Sequence, residues 1–203
     1  MIGYSYVIPR DYGFAPNPFG GICTLATCKP GIRNMAHVED WVIGCGSKKF
    51  NLQNRIVFAM RITEIMTYDE YWADQRFQHK KPTMDSSLKR MYGDNIYHKE
   101  NSTWYQMNSH HSNDDGSINL SNLHRDTKSD RVLLSEEFYY FGKSAYKLSS
   151  KRLSSTVTYS GRGYKKVDDI SLNNLSKILR ENFSIGIIDF PILFKNFKRY
   201  NGK

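Results

Sequence analysis

Apolar residues in this chain alternate with polar ones in short runs that glycine and proline interrupt. Tyr4, Tyr6 and Ile8 alternate before Pro9, and the clearest alternation extends over residues 55–65. A period of two is typical of strands with one buried face, and proline ends regular pairing. With further short strands at residues 41–46, 131–135 and 138–141, the sequence predicts an α+β protein. Its core is a small bent antiparallel sheet or a β-barrel with a few flanking helices.

Helices are indicated at few places. Thr67 and Glu70 have the spacing of a capping box and predict a helix over residues 68–77. Ser171 is the expected N-cap of a second helix, whose leucines and isoleucine form one stripe. One or two helical turns are compatible with residues 32–38.

The organisation of the chain follows from two polar stretches. Residues 78–128 show little periodicity, and a long irregular stretch in a compact domain is usually functional or mobile. Residues 143–160 are rich in serine and lysine, which indicates a linker or an exposed hairpin. The sequence therefore predicts a core domain at 1–142 with a polar insertion at about 78–128, and a basic extension at 143–203 packed on the core.

The positive charge is unevenly placed. The net charge is +9, yet residues 143–203 contain 13 Lys and Arg against 4 Asp and Glu, so they account for all of the excess. A basic segment beside a neutral, aromatic-rich body favours a polyanionic partner, most simply nucleic acid or a nucleotide. The alternative is a basic surface that is only solvated.

Several classes of protein are disfavoured. No apolar run approaches the length of a membrane helix, and the N-terminus lacks the features of a signal peptide. Three cysteines without a C-x-x-C pair indicate reduced thiols of a cytoplasmic protein. No P-loop, dinucleotide fingerprint or Gly-x-Ser-x-Gly motif is present, and we expect no cofactor. The sequence leaves the oligomeric state open.

The first candidate site is the aromatic loop that follows the first strand. Stacking rings and polar groups that read a base edge are what a pocket for a flipped or free base requires. Tyr12 and Phe14 are the candidates for stacking on a base, and Asp11 and Asn17 are the candidates for reading its edge. Just downstream, Lys29 and Arg33 are candidates for contacting a phosphate, and Thr24 is a further candidate in this segment. Alternatively, the loop seals one end of the core.

Two groups of residues are candidates for phosphate binding. Ser47, Lys48 and Lys49 follow two glycines at a strand end, where backbone amides, a hydroxyl and ammonium groups suit a phosphate. Arg162, Lys165 and Lys166 lie in the basic extension, where they would make binding dependent on salt. A hairpin turn and a solvated lysine-rich surface are the respective alternatives.

The polar stretch contains most of the histidines. Its candidate base-binding residues are Asp94, Asn95, Tyr97, His98, His110 and His111. Together with Asp114 and Asp115 they suggest acid–base chemistry or a divalent ion, but no His-x-x-His or His-x-x-x-His spacing is present, and we expect no metal. We favour a histidine-bearing loop over the base pocket, with a solvated insertion as the alternative.

Cys28 is a possible nucleophile, since Lys29 beside it favours the thiolate. A small buried cysteine is the commoner structure. The sequence does not assign a catalytic residue.

Several stretches resemble a known family. The longest is RDYGFAPNPFGGICTLATCKPGIR at residues 10–33, followed by DWVIGCGS at 40–47, GDNIYH at 93–98, SHHS at 109–112 and DTKSDRVL at 126–133. They resemble the nucleotide-modification-associated domain family, branch two, whose members are associated with bacterial and phage systems that modify or police bases. A weaker likeness to PUA-like and EVE-like barrels implies a fold that binds RNA or encloses modified bases.

Three functions remain open at this stage. The favoured hypothesis is a module that recognises a modified or flipped nucleobase without covalent chemistry. The second is an enzyme that modifies a DNA base or nucleotide through the segment Asp11–Lys29 and the region of His98, His110 and His111. The third is an accessory subunit with no nucleotide pocket.

Overall fold

The computed structural model describes residues 1–202. The strands, in chain order, are β1 (Gly3–Ile8), β2 (Cys23–Leu25), β3 (Trp41–Gly46), β4 (Ile56–Arg61), β5 (Glu64–Met66), β6 (Tyr97–Glu100), β7 (Thr103–Gln106), β8 (Val132–Ser135), β9 (Glu137–Tyr140), β10 (Lys165–Val167) and β11 (Gly186–Ile187). The α-helices are α1 (Pro30–Met35), α2 (Tyr68–Ala73), α3 (Leu88–Met91), α4 (Leu120–Asp126), α5 (Lys151–Val157) and α6 (Asp169–Asn182).

The chain divides into two compact units, each assembled from three separate segments. Unit 1 comprises residues 1–11, 36–63 and 135–192, and unit 2 comprises residues 12–35, 64–134 and the described residues from 193 onward. The predicted boundary at 142/143 lies inside unit 1. Both units are therefore built from residues distant in sequence.

Unit 1 is organised around a six-stranded sheet of order β10-β1-β3-β4-β9-β11. Most neighbours are antiparallel, but β1 and β3 are parallel, as are β9 and β11. Helix α6 begins after the N-cap Asp168, and its leucine stripe joins the apolar core with residues of β3 and β4. The polar face of α6 remains exposed, as an amphipathic helix requires.

Unit 2 combines a three-stranded sheet of order β2-β8-β5 with the antiparallel hairpin β6–β7 and helices α1 to α4. Its core is strongly aromatic. The buried rings of this core belong to Phe14, Tyr68, Tyr71, Phe77, Tyr92 and Tyr97. The phenolic hydroxyls need hydrogen-bond partners when they are buried, so this core carries an internal polar network as well.

The mixed α+β class agrees with the expectation, but the barrel does not. In the described part of the chain, β10 and β11 are opposite edges of the large sheet, so it stays open. The parallel pair β1–β3 needs a crossover connection, which antiparallel alternation does not reveal.

Several predicted elements differ in detail. The strand expected over 55–65 is two strands, β4 and β5, which belong to different units. The helix expected over 68–77 ends at Ala73, and a separate 3-10 helix follows over Gln75–Lys80. Asp74 is the N-cap of this 3-10 helix, because its side chain accepts the N–H of Arg76. The N-cap expected at Ser171 is Asp168, so helix α6 begins three residues earlier than predicted, at Asp169. Residues 143–160 contain helix α5 rather than a hairpin, because Ser150 caps it.

The first capping box is present as predicted. The hydroxyl of Thr67 accepts the N–H of Glu70, and the Glu70 carboxylate accepts the N–H of Thr67. Over residues 1–202, no helix has the length and the apolar character required to cross a bilayer.

Candidate functional site

A thiol, an imidazole and a carboxylate lie in line within unit 2. His111 Nδ1 is 2.8 Å from Asp126 Oδ2, and Nε2 of the same ring is 3.9 Å from Cys28 Sγ. His111 and Asp126 are buried, whereas Cys28 is half-buried. In enzymes with this order of groups, the carboxylate orients the histidine and the histidine acts on the nucleophile.

Asp126 is fixed by donors on both carboxylate oxygens. It is the last residue of α4, where its charge meets the negative end of the helix dipole. Oδ2 accepts the Tyr97 hydroxyl at 3.0 Å as well as His111. Oδ1 accepts the Cys28 N–H at 3.0 Å and Arg125 Nε at 3.3 Å. These donors compensate the unfavourable position and hold the carboxylate in one orientation.

The turn that carries His111 is held through its backbone. Its carbonyl accepts Gln106 Nε2 at 3.2 Å and Asn122 Nδ2 at 2.8 Å, and its N–H donates to Ser109 Oγ at 3.3 Å. The ring of Phe14 packs at 4.6 Å from the imidazole ring. These contacts together hold the imidazole in one orientation.

Cys28 has a backbone conformation that is uncommon for a residue with a side chain. Its φ is 60°, and that of Lys29 is 41°. The left-handed region costs L-residues roughly 1–2 kcal/mol each. Strain of this kind is concentrated at functional sites, where the surrounding structure maintains it. Burial also lowers the pKa of the Lys29 amine next to the thiol.

Arg33 maintains the strained turn. Its side chain is fully buried, and its Nε donates to the carbonyl of Cys28 at 2.9 Å. The remaining hydrogen bonds of its guanidinium go to three further carbonyls, those of Asp126, Ser129 and Arg131. Arg33, predicted to meet a phosphate, thus uses four of its N–H groups inside the protein.

Burial and charge act in opposite directions on the buried pair. Burial lowers the pKa of His111, but its interactions with the Asp126 carboxylate and with Cys28 outweigh burial and raise that pKa to about 9. Burial raises the pKa of Asp126, but the charges of His111, Arg125 and Arg33 lower it to about 2. At neutral pH the pair is therefore an imidazolium and a carboxylate.

The imidazolium directs a positive N–H toward the sulfur of Cys28. The thiolate, not the thiol, is the nucleophilic form of cysteine. The cluster has the elements of nucleophilic catalysis: a thiol, a proton donor and acceptor, and a carboxylate that orients it.

The same three side chains could also be considered as metal ligands, since their ligand atoms lie within 4.8 Å of one another. However, the Asp126 oxygens already accept four donors, one of them His111 Nδ1. Only Cys28 Sγ and His111 Nε2 are left to coordinate. Structural zinc uses four protein ligands and catalytic zinc three, so the arrangement fits a thiol–imidazole pair better.

Three of the predicted base-reading residues meet in a separate buried network of unit 2. Lys80 Nζ donates at 3.0 Å each to Asn17 O, Asn17 Oδ1 and Thr24 Oγ1. Asp94 accepts the Thr24 hydroxyl at 2.6 Å and the Tyr71 hydroxyl at 2.8 Å. All five side chains are buried. The fold therefore brings Asn17, Thr24 and Asp94 together. Their polar atoms form hydrogen bonds within this network, which includes Lys80.

The predicted stacking rings pack inside unit 2. Phe14 is buried, and half-buried Tyr12 stacks on Tyr92 at 5.3 Å. The His110 ring lies 4.9 Å from both Tyr12 and Phe14, and its Nδ1 contacts the carbonyl of Lys198. Tyr12, Phe14 and His110 thus pack against one another inside unit 2.

The remaining predicted residues are dispersed. Asp11 belongs to unit 1, where its buried carboxylate accepts the Tyr140 hydroxyl and the N–H of Ile192. In unit 2, Asn95 donates to the carbonyl of Tyr71 at 2.9 Å. His98 lies on the hairpin β6–β7, with its ring stacked 3.9 Å from that of Trp72.

The two groups of phosphate candidates at residues 47–49 and 162–166 lie in unit 1, whereas Lys29 and Arg33 lie in unit 2. Ser47 is buried, and its hydroxyl has no hydrogen-bond partner in the described part of the chain. Lys48, Lys49, Arg162 and Lys166 are exposed. Lys165 Nζ donates to the carbonyl of Ser155 at 2.8 Å.

Sequence reasoning missed Asp126 and Lys80. Asp126 lies in one of the stretches that carried the family resemblance, but no spacing links it to His111. Lys80 lies in a polar stretch where a lysine is normally solvated. Cys28 was considered as a nucleophile but not assigned, because its partners lie 83 and 98 positions away.

The fold and this cluster define a mixed α+β protein with a cysteine–histidine–aspartate constellation. A family model described as nucleotide modification associated domain 2 matches residues 1–198. The chain belongs to this family, as its sequence indicated. Comparisons with curated proteins and with solved structures gave no match, and the PUA-like likeness finds no support in the open sheet.

Proposed function

We propose that this protein is an enzyme of a nucleotide modification system and that Cys28 is its nucleophile. The observation that carries the proposal is the line from Cys28 Sγ through the His111 ring to Asp126. Membership of the nucleotide-modification family supports the substrate class. Between the two leading hypotheses from the sequence, this geometry favours the enzyme.

The proposed reaction proceeds in two balanced steps. The Cys28 thiolate forms a C–S bond to an electrophilic carbon of the nucleotide or of the group to be transferred, and the leaving group takes the Nε2 proton of His111. Neutral His111 then accepts a proton from water or a second substrate, whose oxygen or nitrogen displaces the sulfur. Asp126 keeps the imidazole oriented and stabilises its charged form throughout.

Thiol reactivity provides the first test. We expect iodoacetamide to alkylate Cys28 at neutral pH much faster than Cys23 and Cys45, which are buried and whose thiols have pKa values raised by burial. Peptide mass spectrometry resolves the three sites in one sample. His111→Gln should slow alkylation of Cys28 roughly tenfold or more, because the thiolate loses its imidazolium partner. His124→Gln, which changes an exposed histidine on α4, is the matched control.

Product formation provides the second test. Deoxynucleotides and short oligonucleotides, incubated with the protein and candidate donor metabolites, should yield a new mass with the wild type and His124→Gln but not with Cys28→Ala or His111→Gln. Retained product formation in Cys28→Ala, or equal alkylation of Cys28 in the wild type and His111→Gln, would reject the proposal.

A binding module is the second candidate, and a separate observation favours it. The rings of Trp72, His98 and Tyr105 form a stacked column at 3.9 and 5.4 Å, with the Lys81 ammonium 3.6 Å from the Trp72 ring centre. Tyr105 ends the column and is 40% exposed. An exposed ring of this kind can stack on a base. If this is the function, Tyr105→Ala should weaken binding of an oligonucleotide about tenfold or more, while Cys28→Ala leaves it unchanged.

A further inference from the structure

Unit 1 contains two chain segments from which carboxylates are absent. Residues 41–60 contain three cationic residues and no Asp or Glu, and residues 141–167 contain seven cationic residues and no Asp or Glu. The protein has 20 acidic residues in total, so their absence from both segments concentrates positive charge there. Ten of its cations therefore lie in stretches without an acidic neighbour in sequence.

The fold brings these two segments together. Ile56 and Tyr146 form a β-bridge, and Arg55 Nη1 donates to the carbonyl of Ala145 at 3.4 Å. Farther along, the N–H of Tyr159 donates to Cys45 Sγ at 3.3 Å. The two acid-free segments thus contact each other at three places within one unit.

A cleft of about 400 Å³ opens where they meet. It is lined by Val7, Gly46, Lys48, Gln53, Asn54 and Ser160. Gly46 ends β3 and Val7 lies near the end of its parallel neighbour β1. The carboxyl ends of parallel strands are a common place for ligands in open sheets, and a cleft of this size suits a small ligand or part of a larger one.

The lining has the chemistry of an anion site. It offers an ammonium, two amides and a hydroxyl, and it includes no carboxylate. Lys48 and its neighbour Lys49 are exposed and form no ion pair with any of the described residues. Their charges are consequently available to an anionic partner.

A second cation is carried by the loop that follows Ser160. Arg162 lies between Gly161 and Gly163, and the Tyr159 hydroxyl donates to its carbonyl at 2.8 Å. The side chain of Arg162 is exposed and has no ion-pair partner within residues 1–202. An exposed guanidinium without an ion-pair partner suits phosphate binding.

We infer that this cleft binds the phosphate backbone of a nucleic-acid strand. Lys48, Lys49 and Arg162 neutralise the phosphates, and the amides and hydroxyl of the lining donate hydrogen bonds to their oxygens. The polar lining favours phosphodiesters over a lipid surface, which would be expected to use apolar side chains as well. The inference goes beyond the proposed reaction and does not rest on Cys28, since the cleft belongs to unit 1 alone.

Salt dependence tests this inference. The binding of labelled single-stranded DNA and RNA of the same sequence is measured by fluorescence anisotropy between about 50 and 200 mM KCl. Each phosphate contact contributes about −0.7 to the slope of log K against log salt for single strands. Lys48→Gln with Lys49→Gln should therefore reduce the steepness of the slope by about 1.4, and Arg162→Gln by about 0.7.

The matched control removes the same charge elsewhere. Lys128→Gln with Lys177→Gln changes two exposed lysines outside the acid-free segments and should leave the slope nearly unchanged. All of these side chains are exposed, so the variants should fold. Equal slopes in the two double variants would overturn the inference. So would tighter binding to phosphatidylserine vesicles than to either oligonucleotide, if Lys48→Gln with Lys49→Gln abolished it.

Alkylation of Cys28 in the same variants separates the two proposals. We expect Lys48→Gln with Lys49→Gln to retain full Cys28 reactivity while its salt slope becomes shallower by about 1.4. Cys28→Ala should retain the wild-type salt slope. Failure of one measurement therefore leaves the other proposal standing.

Discussion

His111 Nδ1 lies 2.8 Å from Asp126 Oδ2, and both side chains are removed from solvent. A buried carboxylate or imidazolium alone is strongly disfavoured, but removing one partner of such a pair is more costly than keeping both. The pair is therefore both the centre of the candidate site and a determinant of the stability of unit 2. The contribution of the pair to the free energy of unfolding can be measured through its dependence on pH.

The first prediction concerns stability in mild alkali. The pKa of His111 is raised from 6.5 to about 9 in the folded protein. The folded state therefore binds a proton that the unfolded chain has already released, and this stabilisation is complete below pH 6.5 and lost as the pH rises through 9. We expect the free energy of unfolding to fall by up to about 3 kcal/mol over that interval. Urea denaturation at several pH values measures it.

The comparison with His111→Gln isolates this contribution. The variant is expected to be less stable at pH 6.5, and the difference from the wild type should shrink as the pH approaches 9. On the acid side, Asp126 has its pKa lowered from 3.8 to about 2, so its stabilisation is present above pH 3.8 and disappears as the pH falls through 2. A pH-independent difference between the two proteins would contradict the assigned charge states.

The second prediction concerns Arg33, which connects the Cys28 turn to the residues around Asp126. Lysine keeps the charge but cannot place four N–H donors on four carbonyls. We expect Arg33→Lys to lower the free energy of unfolding by about 3 kcal/mol or more, because buried carbonyls lose their donors. It should also slow the alkylation of Cys28. Arg152→Lys, at an exposed position of α5, is the control and should change neither quantity.

The third prediction concerns the buried ammonium of Lys80. Lys80→Met should destabilise the protein by about 3–5 kcal/mol, because Asp94 then lacks a countercharge in a site where burial already raises its pKa. Asp94→Asn combined with Lys80→Met should cost less than the sum of the two single changes, because the double variant leaves no unpaired charge. Additive costs in this double-mutant cycle would show that the two charges do not interact.

Local sequence signals were sufficient for part of the fold. The Thr67–Glu70 capping box and the alternation in β1 and β4 depend on neighbouring residues, and each marked the start of an element to within one residue. Helix α2 and strand β4 nevertheless end earlier than the sequence predicted. The division into two units was not predictable, because each unit combines three distant segments. The continuous alternation over residues 55–65 concealed the change of unit after Thr63, since both strands have the same period.

The candidate site shows the same division between local and distant information. Residue chemistry identified the histidine pair and raised the possibility of a Cys28 nucleophile. It did not identify Asp126, because the pairing of Cys28, His111 and Asp126 depends on tertiary contacts across 98 positions. Asn17, Thr24 and Asp94, which the sequence assigned to two separate candidate sites, lie together in the structure beside a buried lysine that composition would place at the surface.

The last prediction tests whether strain is stored at the nucleophile. In the middle of a helix or strand, a protein with glycine is less stable than the same protein with alanine by roughly 0.5–1 kcal/mol. At Cys28, where φ is 60°, the order should be reversed, because glycine adopts this conformation without a steric cost. We expect Cys28→Gly to be more stable than Cys28→Ala by about 1 kcal/mol in urea denaturation, with neither variant showing alkylation at this position. Both changes remove the thiol, so their difference reports the backbone alone. If the alanine variant proves equally stable, the turn stores no strain, and the position of Cys28 is then explained by hydrogen bonds to Asp126 and Arg33 without a strained nucleophile.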